Sequence, residues 1–242
     1  MRGLDPAHRT RSDSAHHRRL CSARYERAAR QRGWQRIAGI DEAGRGSLFG
    51  PVMAAAVILN PRRRIVGLDD SKKLTPDRRD ELAARIREHA LAWAVAEIDA
   101  SRIDAWNIYQ ATRQAMLAAV LQLHPLPDYL LLDAMELDLP IEQKPLVHGD
   151  ARSVSIAAAS ILAKVERDRR LEELAQFYPQ YGLAQNKGYG TPDHLEALRR
   201  HGPSPLHRFS FAPVREARCW AAGAEQAALP LETRAEALHG RP

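Results

Sequence analysis

The stretch "YLLLD", residues 129 to 133, is apolar up to its last residue. As a strand it would have no polar face, so it must be covered on both sides, which requires helices layered over a sheet. "DYLLLDA" is therefore read as a central strand, and the rest of the chain must supply its neighbours. "IAGID" (37 to 41) and "PVMAAAVIL" (51 to 59) are two further apolar runs, the second opened by Pro51 and closed by "NPRRR". A glycine-rich turn separates them, so an antiparallel pair is expected. "LAWAVAEID" reads as another strand by its alternation, and "QKPLVHGD" as a fifth that ends in Asp.

Helical spacing fills the intervals. Leu82, Ile86 and Ala90 recur every four residues behind Pro76, a first-turn proline. Ala111, Ala115, Ala118 and Ala119 mark a helix over about 107–123. A long helix from about 152 to 177 carries Val154, Ala158, Ile161 and Val165 on one side, continued by Leu171 and Leu174. Its far half, "KVERDRRLEEL", is expected to be solvated. "RYERAARQR" (24 to 32) reads as a short polar helix, and "YPQYGLAQNKGYGTP" as a loop leading to the helix "PDHLEALRRHG". The sum is an α/β fold, one mixed β-sheet flanked by helices.

Composition sets limits on partners. Of the formal charge of +6, residues 1 to 36 carry ten Arg against three acidic groups, leaving −1 on the remaining 206 residues. A uniformly basic nucleic-acid glove is excluded; a polyanion must meet local patches, or cations held on carboxylates. No run approaches the roughly 18 apolar residues that would cross a bilayer, and no membrane contact is expected. Cys21 and Cys219 show no metal-ligand spacing and are expected outside the core, which fits a reducing cytoplasm. The expected division is a disordered basic extension over 1–23, a domain over 24–217 and a tail over 218–242.

Three acidic sites follow apolar strands: Asp41 with Glu42 after "IAGI", Asp133 after "YLLL", and Asp150 after "LVHG". Each has a conformational explanation: a solvated turn for the pair, a turn starter for Asp133, an N-cap or Asx turn for Asp150. Strand ends are also where α/β sheets bind ligands, and carboxylates gathered there would need cations. Oxygen-only ligands select Mg²⁺ or Mn²⁺ over zinc, and two such ions would suit in-line phosphoryl displacement without a side-chain nucleophile. "GRGSLFG" matches neither a P-loop nor a dinucleotide fingerprint, since strand follows it. Gly44, Arg45 and Gly46 can instead bring bare backbone and one charge close to a bound chain, or make a plain tight turn.

The ordered blocks "AGIDEAGRGSLFGPV", "DDSKKLTPDRRDEL", "NIYQATRQAM", "LLLDA", "VHGDARSVSIAAASILAKVERDR", "YPQYG", "NKGYGTPDHLEAL" and "GPSPLHRFSF" resemble the bacterial ribonuclease HII family over about residues 24 to 217. The resemblance implies a ribonuclease H-like domain with a smaller helical C-terminal part. It implies that Asp41, Glu42, Asp133 and Asp150 hold two Mg²⁺ or Mn²⁺ ions. It also implies cleavage of the RNA strand of RNA/DNA hybrids, and nicking of duplex DNA on the 5′ side of a single embedded ribonucleotide, leaving 3′-hydroxyl and 5′-phosphate ends. In the family the glycine-arginine-glycine turn, here Gly44, Arg45 and Gly46, senses the ribose 2′-hydroxyl, and the loop tyrosine, here Tyr189, packs on the neighbouring deoxyribose.

Lys72, Lys73 and Lys187 are candidate phosphate contacts; His207 and Arg208 recur in the family without an assigned chemistry and are read as structural. Asn186 stands where the family commonly has His. The related ribonuclease HIII usually carries an additional N-terminal substrate-binding domain, for which 36 residues before the first strand are too few. A non-catalytic binding module on the same fold would not need all four acids. A monomer is expected. Because side chains alternate along a strand, Asp41 and Glu42 serve one site only if the chain leaves β geometry at the pair. A bend at "AGRG" is therefore expected.

Overall fold

The computed structural model describes residues 21–218; residues 1–20 of the expected extension and the tail from Cys219 onward lie outside the described residues. Five strands, β1 (Ile37–Ala43), β2 (Val52–Ile58), β3 (Ala92–Ile98), β4 (Tyr129–Asp133) and β5 (Glu142–Leu146), form one sheet in the order β3-β2-β1-β4-β5. The β1–β2 and β2–β3 pairs are antiparallel, while β1–β4 and β4–β5 are parallel. The sheet is mixed, as expected, and "YLLLD" lies inside it.

The helices are α1 (Arg24–Gln31), α2 (Pro76–His89), α3 (Ala100–Trp106), α4 (Ile108–Leu121), α5 (Val154–Phe177), α6 (Leu183–Asn186) and α7 (Pro192–His201). α4 covers one sheet face, where Ala111, Ala115, Met116 and Ala119 meet Ile40, Ala54 and Leu130. α2 and α5 cover the other, with Leu82, Ile86, Ala158 and Ile161 against Ala55 and Val57. The expected helix over 107–123 is preceded by a separate short one: Asp99 caps α3, and Asn107, at φ 71°, breaks the chain before capping α4 itself. Asp and Asn accept first-turn N–H groups at such breaks.

α5 lies closest to β1 at Gly39. A Cβ there would sit 2.0 Å from the carbonyl carbon of Ser155 and 2.4 Å from the Ile156 nitrogen, backbone atoms that cannot turn aside. This contact fixes the height of α5 along the strand, and with it every polar side chain the helix carries.

Four expectations are corrected. β1 does not bend at the acidic pair: Asp41 pairs with Ala55 and Glu42 with Ala54 in unbroken register. β5 stops at Leu146, and Asp150 sits four residues further on, in a 3₁₀ turn over Gly149–Ala151. The far half of α5 is not wholly solvated, since Val165 and Leu171 are buried and Arg167 is fully buried. Cys21, expected outside the core, is half-buried and packs against the α2/α5 core, where burial first of all pushes its thiol up to about 12. Ser22 of the expected extension bridges Ser153 in parallel.

The C-terminal part has its own core, built from Phe49, Leu171, Tyr181, Leu198 and Val214. Beneath it His207 Nδ1 accepts the Ser204 N–H at 2.9 Å, which leaves its Nε2–H to donate to His194 Nε2 at 3.1 Å. His194 Nδ1–H then donates to the Tyr189 carbonyl at 2.9 Å. Both rings are held neutral: burial pushes the His207 pKa down to about 3 and lowers that of His194. Both histidines thus have the structural role expected of His207.

Two predictions follow from this packing. Gly39→Ala should lower unfolding free energy by about 3 kcal/mol or more, as an overpacked site with no flexible neighbour does; a urea midpoint equal to wild type would contradict it. For His207 the unfolded chain takes up a proton below about pH 6.5 that the folded chain refuses down to about 3. Its contribution is therefore complete above 6.5 and lost as pH falls, by up to about 1.4 kcal/mol per pH unit. His207→Gln should be less stable at pH 7 and lose less between pH 6.5 and 4, read from urea melts.

Candidate active site

β1 and β4 run parallel with Ile40 beside Leu132, so their exits bring Asp41 and Asp133 to the same end of the sheet. Asp41, on the α5 side, is buried, and its Oδ1 accepts the Glu42 N–H at 2.8 Å. The Ser160 hydroxyl on α5 shares the cleft with it and draws its pKa down, and lies 2.9 Å from the Ser71 hydroxyl. Glu42 points the other way along the pleat, as alternation requires. It still lines the same cleft, because β1 ends one residue later and nothing separates the two faces there.

The cleft, about 490 Å³, is lined by Asp41, Glu42, Gly44, Arg45, Gly46, Asp133, Lys72 and Tyr189, together with Ser71, Ser160 and Lys164. Asp150 stands at its margin: the N–H of Gly149 donates to Asp133 Oδ1 at 2.8 Å, and Asp150 Oδ1 accepts the Ala151 N–H at 2.8 Å. The N-cap of α5 is Ser153, not Asp150. Lys187 is not in the lining; its Nζ is 2.6 Å from Glu172 Oε1. Lys73 binds Asp69 at 3.1 Å. Asn186 fixes the tyrosine loop from within, its Nδ2 donating to the Tyr181 carbonyl at 2.6 Å and its Oδ1 accepting the Gly188 N–H at 2.8 Å.

The acids carry more negative charge than their neighbours cancel. Burial, then Glu42 and Asp133, hold the Asp41 carboxyl well above the ordinary range. Burial also raises Glu42, against the pull of Arg45, whose guanidinium is 3.2 Å away. Asp150 is raised by burial, Asp70 and Asp133. Burial pushes the Lys72 ammonium down, but Asp150, Asp70, Asp41 and Asp133 together outweigh it and hold its pKa up. Carboxylates crowded in this way are stabilised in their charged form by a cation.

The donor set fits a hard divalent ion: it is all oxygen, and Glu42 Oε2 is buried with no hydrogen-bond partner among the described residues. Among the described residues no three His, Cys, Asp or Glu side chains yet stand in a closed ligand arrangement. Their oxygens are turned instead to Arg45, to backbone N–H groups and to Ser160.

Sequence reasoning missed Ser160, Lys164 and Arg167. Their spacing of four and three residues traces one stripe along α5, a polar interruption of an otherwise apolar face. Lys164 Nζ is 2.7 Å from Asp168 Oδ1 and 5.9 Å from the Tyr189 ring centroid. Tyr189 itself is 37% exposed, open enough to meet a ligand face.

A mixed sheet flanked by helices, with acids at adjacent strand exits, is the architecture of ribonuclease H-fold nucleases. A solved ribonuclease H2 from Pyrococcus horikoshii OT3 superimposes with a TM-score of 0.66 at 25% identity, covering 76% of this chain and 97% of that one. The family model "Ribonuclease HII" matches residues 38–214. Relatives of that name are 56% identical over 209 residues in Koribacter versatilis (86% of this chain, 80% of the relative) and 58% identical over 194 in Geobacillus thermodenitrificans (80% and 75%). The chain belongs to the ribonuclease HII family, and with it to the metal-dependent nucleases. Membership implies endoribonuclease activity on RNA/DNA hybrids. Among the described residues no helix is long and apolar enough to cross a membrane.

Mn²⁺ should raise the melting temperature of the wild type, since a ligand of the folded state stabilises it by mass action. In Asp41→Asn that rise should shrink and the Mn²⁺ affinity fall about ten-fold or more, measured by calorimetry; an unchanged affinity would remove Asp41 from the ligand set.

Proposed function

We propose that this chain hydrolyses the RNA strand of RNA/DNA hybrids and also nicks duplex DNA on the 5′ side of a single embedded ribonucleotide, leaving 3′-hydroxyl and 5′-phosphate ends. The observation that carries the second activity is the placement of the Gly44–Arg45–Gly46 turn and Tyr189 in the same cleft as the acids. Among the described residues nothing lies within 4 Å of where a Cβ on Gly46 would stand, and its φ is not positive. Neither packing nor backbone conformation asks for glycine there, so close approach of a ligand is the remaining physical reason.

Two divalent ions, Mg²⁺ or Mn²⁺, would supply an activated water and charge neutralisation at the scissile phosphate. Asp41, Glu42, Asp133 and Asp150 are the residues that would hold them. The Lys72 ammonium, kept protonated by these acids, faces the same space and suits a phosphate oxygen of the substrate. Backbone and Arg45 at the turn can meet the 2′-hydroxyl, the group that distinguishes RNA from DNA at one position. Tyr189, offering a part-exposed aromatic face, suits packing on the deoxyribose beyond it. Lys187, tied to Glu172, would have to exchange that partner to reach a phosphate.

The cellular roles that follow are excision of ribonucleotides from DNA and removal of RNA primers, by a monomer in the cytoplasm.

Asp133→Asn keeps the shape of a ligand and removes its charge. Cleavage of a duplex with one embedded ribonucleotide should fall by orders of magnitude; near-wild-type turnover would sink the metal role. Arg45→Ala and Tyr189→Ala should lose nicking at the single ribonucleotide more than Mn²⁺ affinity, and equal affinity and rate of the wild type on ribo- and deoxy-substrates would refute the substrate reading.

A further inference from the structure

Arg167 is fully buried on α5, yet it forms no ion pair among the described residues. Its guanidinium is spent on backbone and a hydroxyl. Nε donates to the Pro51 carbonyl at 3.3 Å, Nη1 to the Lys187 carbonyl at 3.0 Å, and Nη2 to Ser47 Oγ at 2.7 Å and the Phe49 carbonyl at 3.3 Å. The same group stands 5.4 Å from the Tyr189 ring centroid. Burying an arginine without a carboxylate is costly, and burial does lower its pKa. Such a residue needs a reason beyond packing.

The contacts supply one. Pro51, Phe49 and Ser47 belong to the segment that follows the glycine-arginine-glycine turn, whereas Lys187 and Tyr189 belong to the tyrosine loop, 140 residues later in the chain. Gly44, at φ +92°, passes so close that a Cβ would be 2.0 Å from Arg167 Nε. The Leu48 N–H donates to the Gly188 carbonyl at 2.8 Å, and a Cβ on Gly188 would lie 2.7 Å from Ser47 Oγ. A second buried guanidinium, Arg208, closes the turn from the other side, donating to the carbonyls of Arg45 at 2.9 Å and Gly50 at 3.0 Å. With these carbonyls drawn inward, the Arg45 and Gly46 N–H groups are left without partners among the described residues, free for a ligand.

We propose that Arg167 is a positioning residue for substrate specificity, locking the glycine-arginine-glycine turn and the tyrosine loop into one rigid reader so that 2′-hydroxyl sensing and deoxyribose packing occur in fixed register. This rests on the substrate reading above. It deepens that reading by making discrimination a property of the coupled pair, with Arg167 touching neither metal nor substrate. A fixed spacing between the two readers is what a single ribo-to-deoxyribo step demands, and a misplacement of about 1 Å can cost a hundred-fold.

The test compares wild type, Arg167→Lys and Ser47→Ala, the last removing one Arg167 acceptor without touching the core of α5. Affinities for a duplex with one ribonucleotide and for the all-DNA duplex are measured in a metal chelator, alongside amide exchange in the metal-free protein. Arg167→Lys should lose ten-fold or more of the ribonucleotide preference, and Ser47→Ala part of it. Exchange at residues 44–48 and 187–190 should rise together while β1 and β4 stay protected. A preference within two-fold of wild type in folded Arg167→Lys overturns the proposal, as does a rise in exchange across the whole sheet or in only one of the two segments. A wild type with no preference sinks the substrate reading itself, and the exchange data then decide the coupling alone.

Discussion

The approach of α5 to β1 at Gly39 is the contact on which the rest depends. Because one side chain is missing, helix backbone meets strand backbone, and the height of α5 along β1 is set to within the tolerance of a close-packed core. From that height Ser160 reaches Asp41, Lys164 lies above Tyr189, and Arg167 arrives beneath Gly44. The same helix is preceded by the 3₁₀ turn that carries Asp150. One packing contact thus places residues from every part of the cleft.

The cleft separates two kinds of buried charge. At the strand exits, carboxylates outnumber nearby cations and are pushed toward protonation by burial and by one another, a condition a divalent ion relieves. Beneath the adjoining turn, Arg167 and Arg208 are dehydrated and form no ion pair with a carboxylate among the described residues; burial lowers the Arg208 pKa to about 9, with Arg167 adding to the effect. Carbonyl dipoles stabilise these two guanidiniums, and in return the loops that supply the dipoles cannot move independently. The chemistry of the acids and the rigidity of the readers are therefore built from opposite charges in adjacent space.

The helical C-terminal part contributes through the same loop. A chain of three directed hydrogen bonds runs from Ser204 through His207 and His194 to the Tyr189 carbonyl. The tyrosine backbone is held by the imidazoles, while Arg167 and Lys164 stand against its ring, which stays part-exposed. Asn186 completes the turn with two short hydrogen bonds, to the Tyr181 carbonyl and from the Gly188 N–H.

Much of this was legible in the sequence. The wholly apolar "YLLL" required a covered central strand, the four-residue spacings located α2, α4 and α5, and Asp41, Glu42 and Asp133 after apolar runs marked the cleft, because periodicity and hydrophobic burial are local physics. The ordered motifs carried the family. What local pattern could not decide was whatever depends on who stands opposite. A polar run on α5 reads as solvated until the turn it faces is in place, so Arg167 was missed. Asp41 and Glu42 were expected to need a bend, yet an unbroken strand suffices because it ends where both faces open into one cleft. Lys187 carries the charge of a phosphate ligand in the sequence, and only the fold places Glu172 beside it. Sequence alone determined the layers and the strands; tertiary structure decided which charges meet, since pairing is set by distances between segments far apart in the chain.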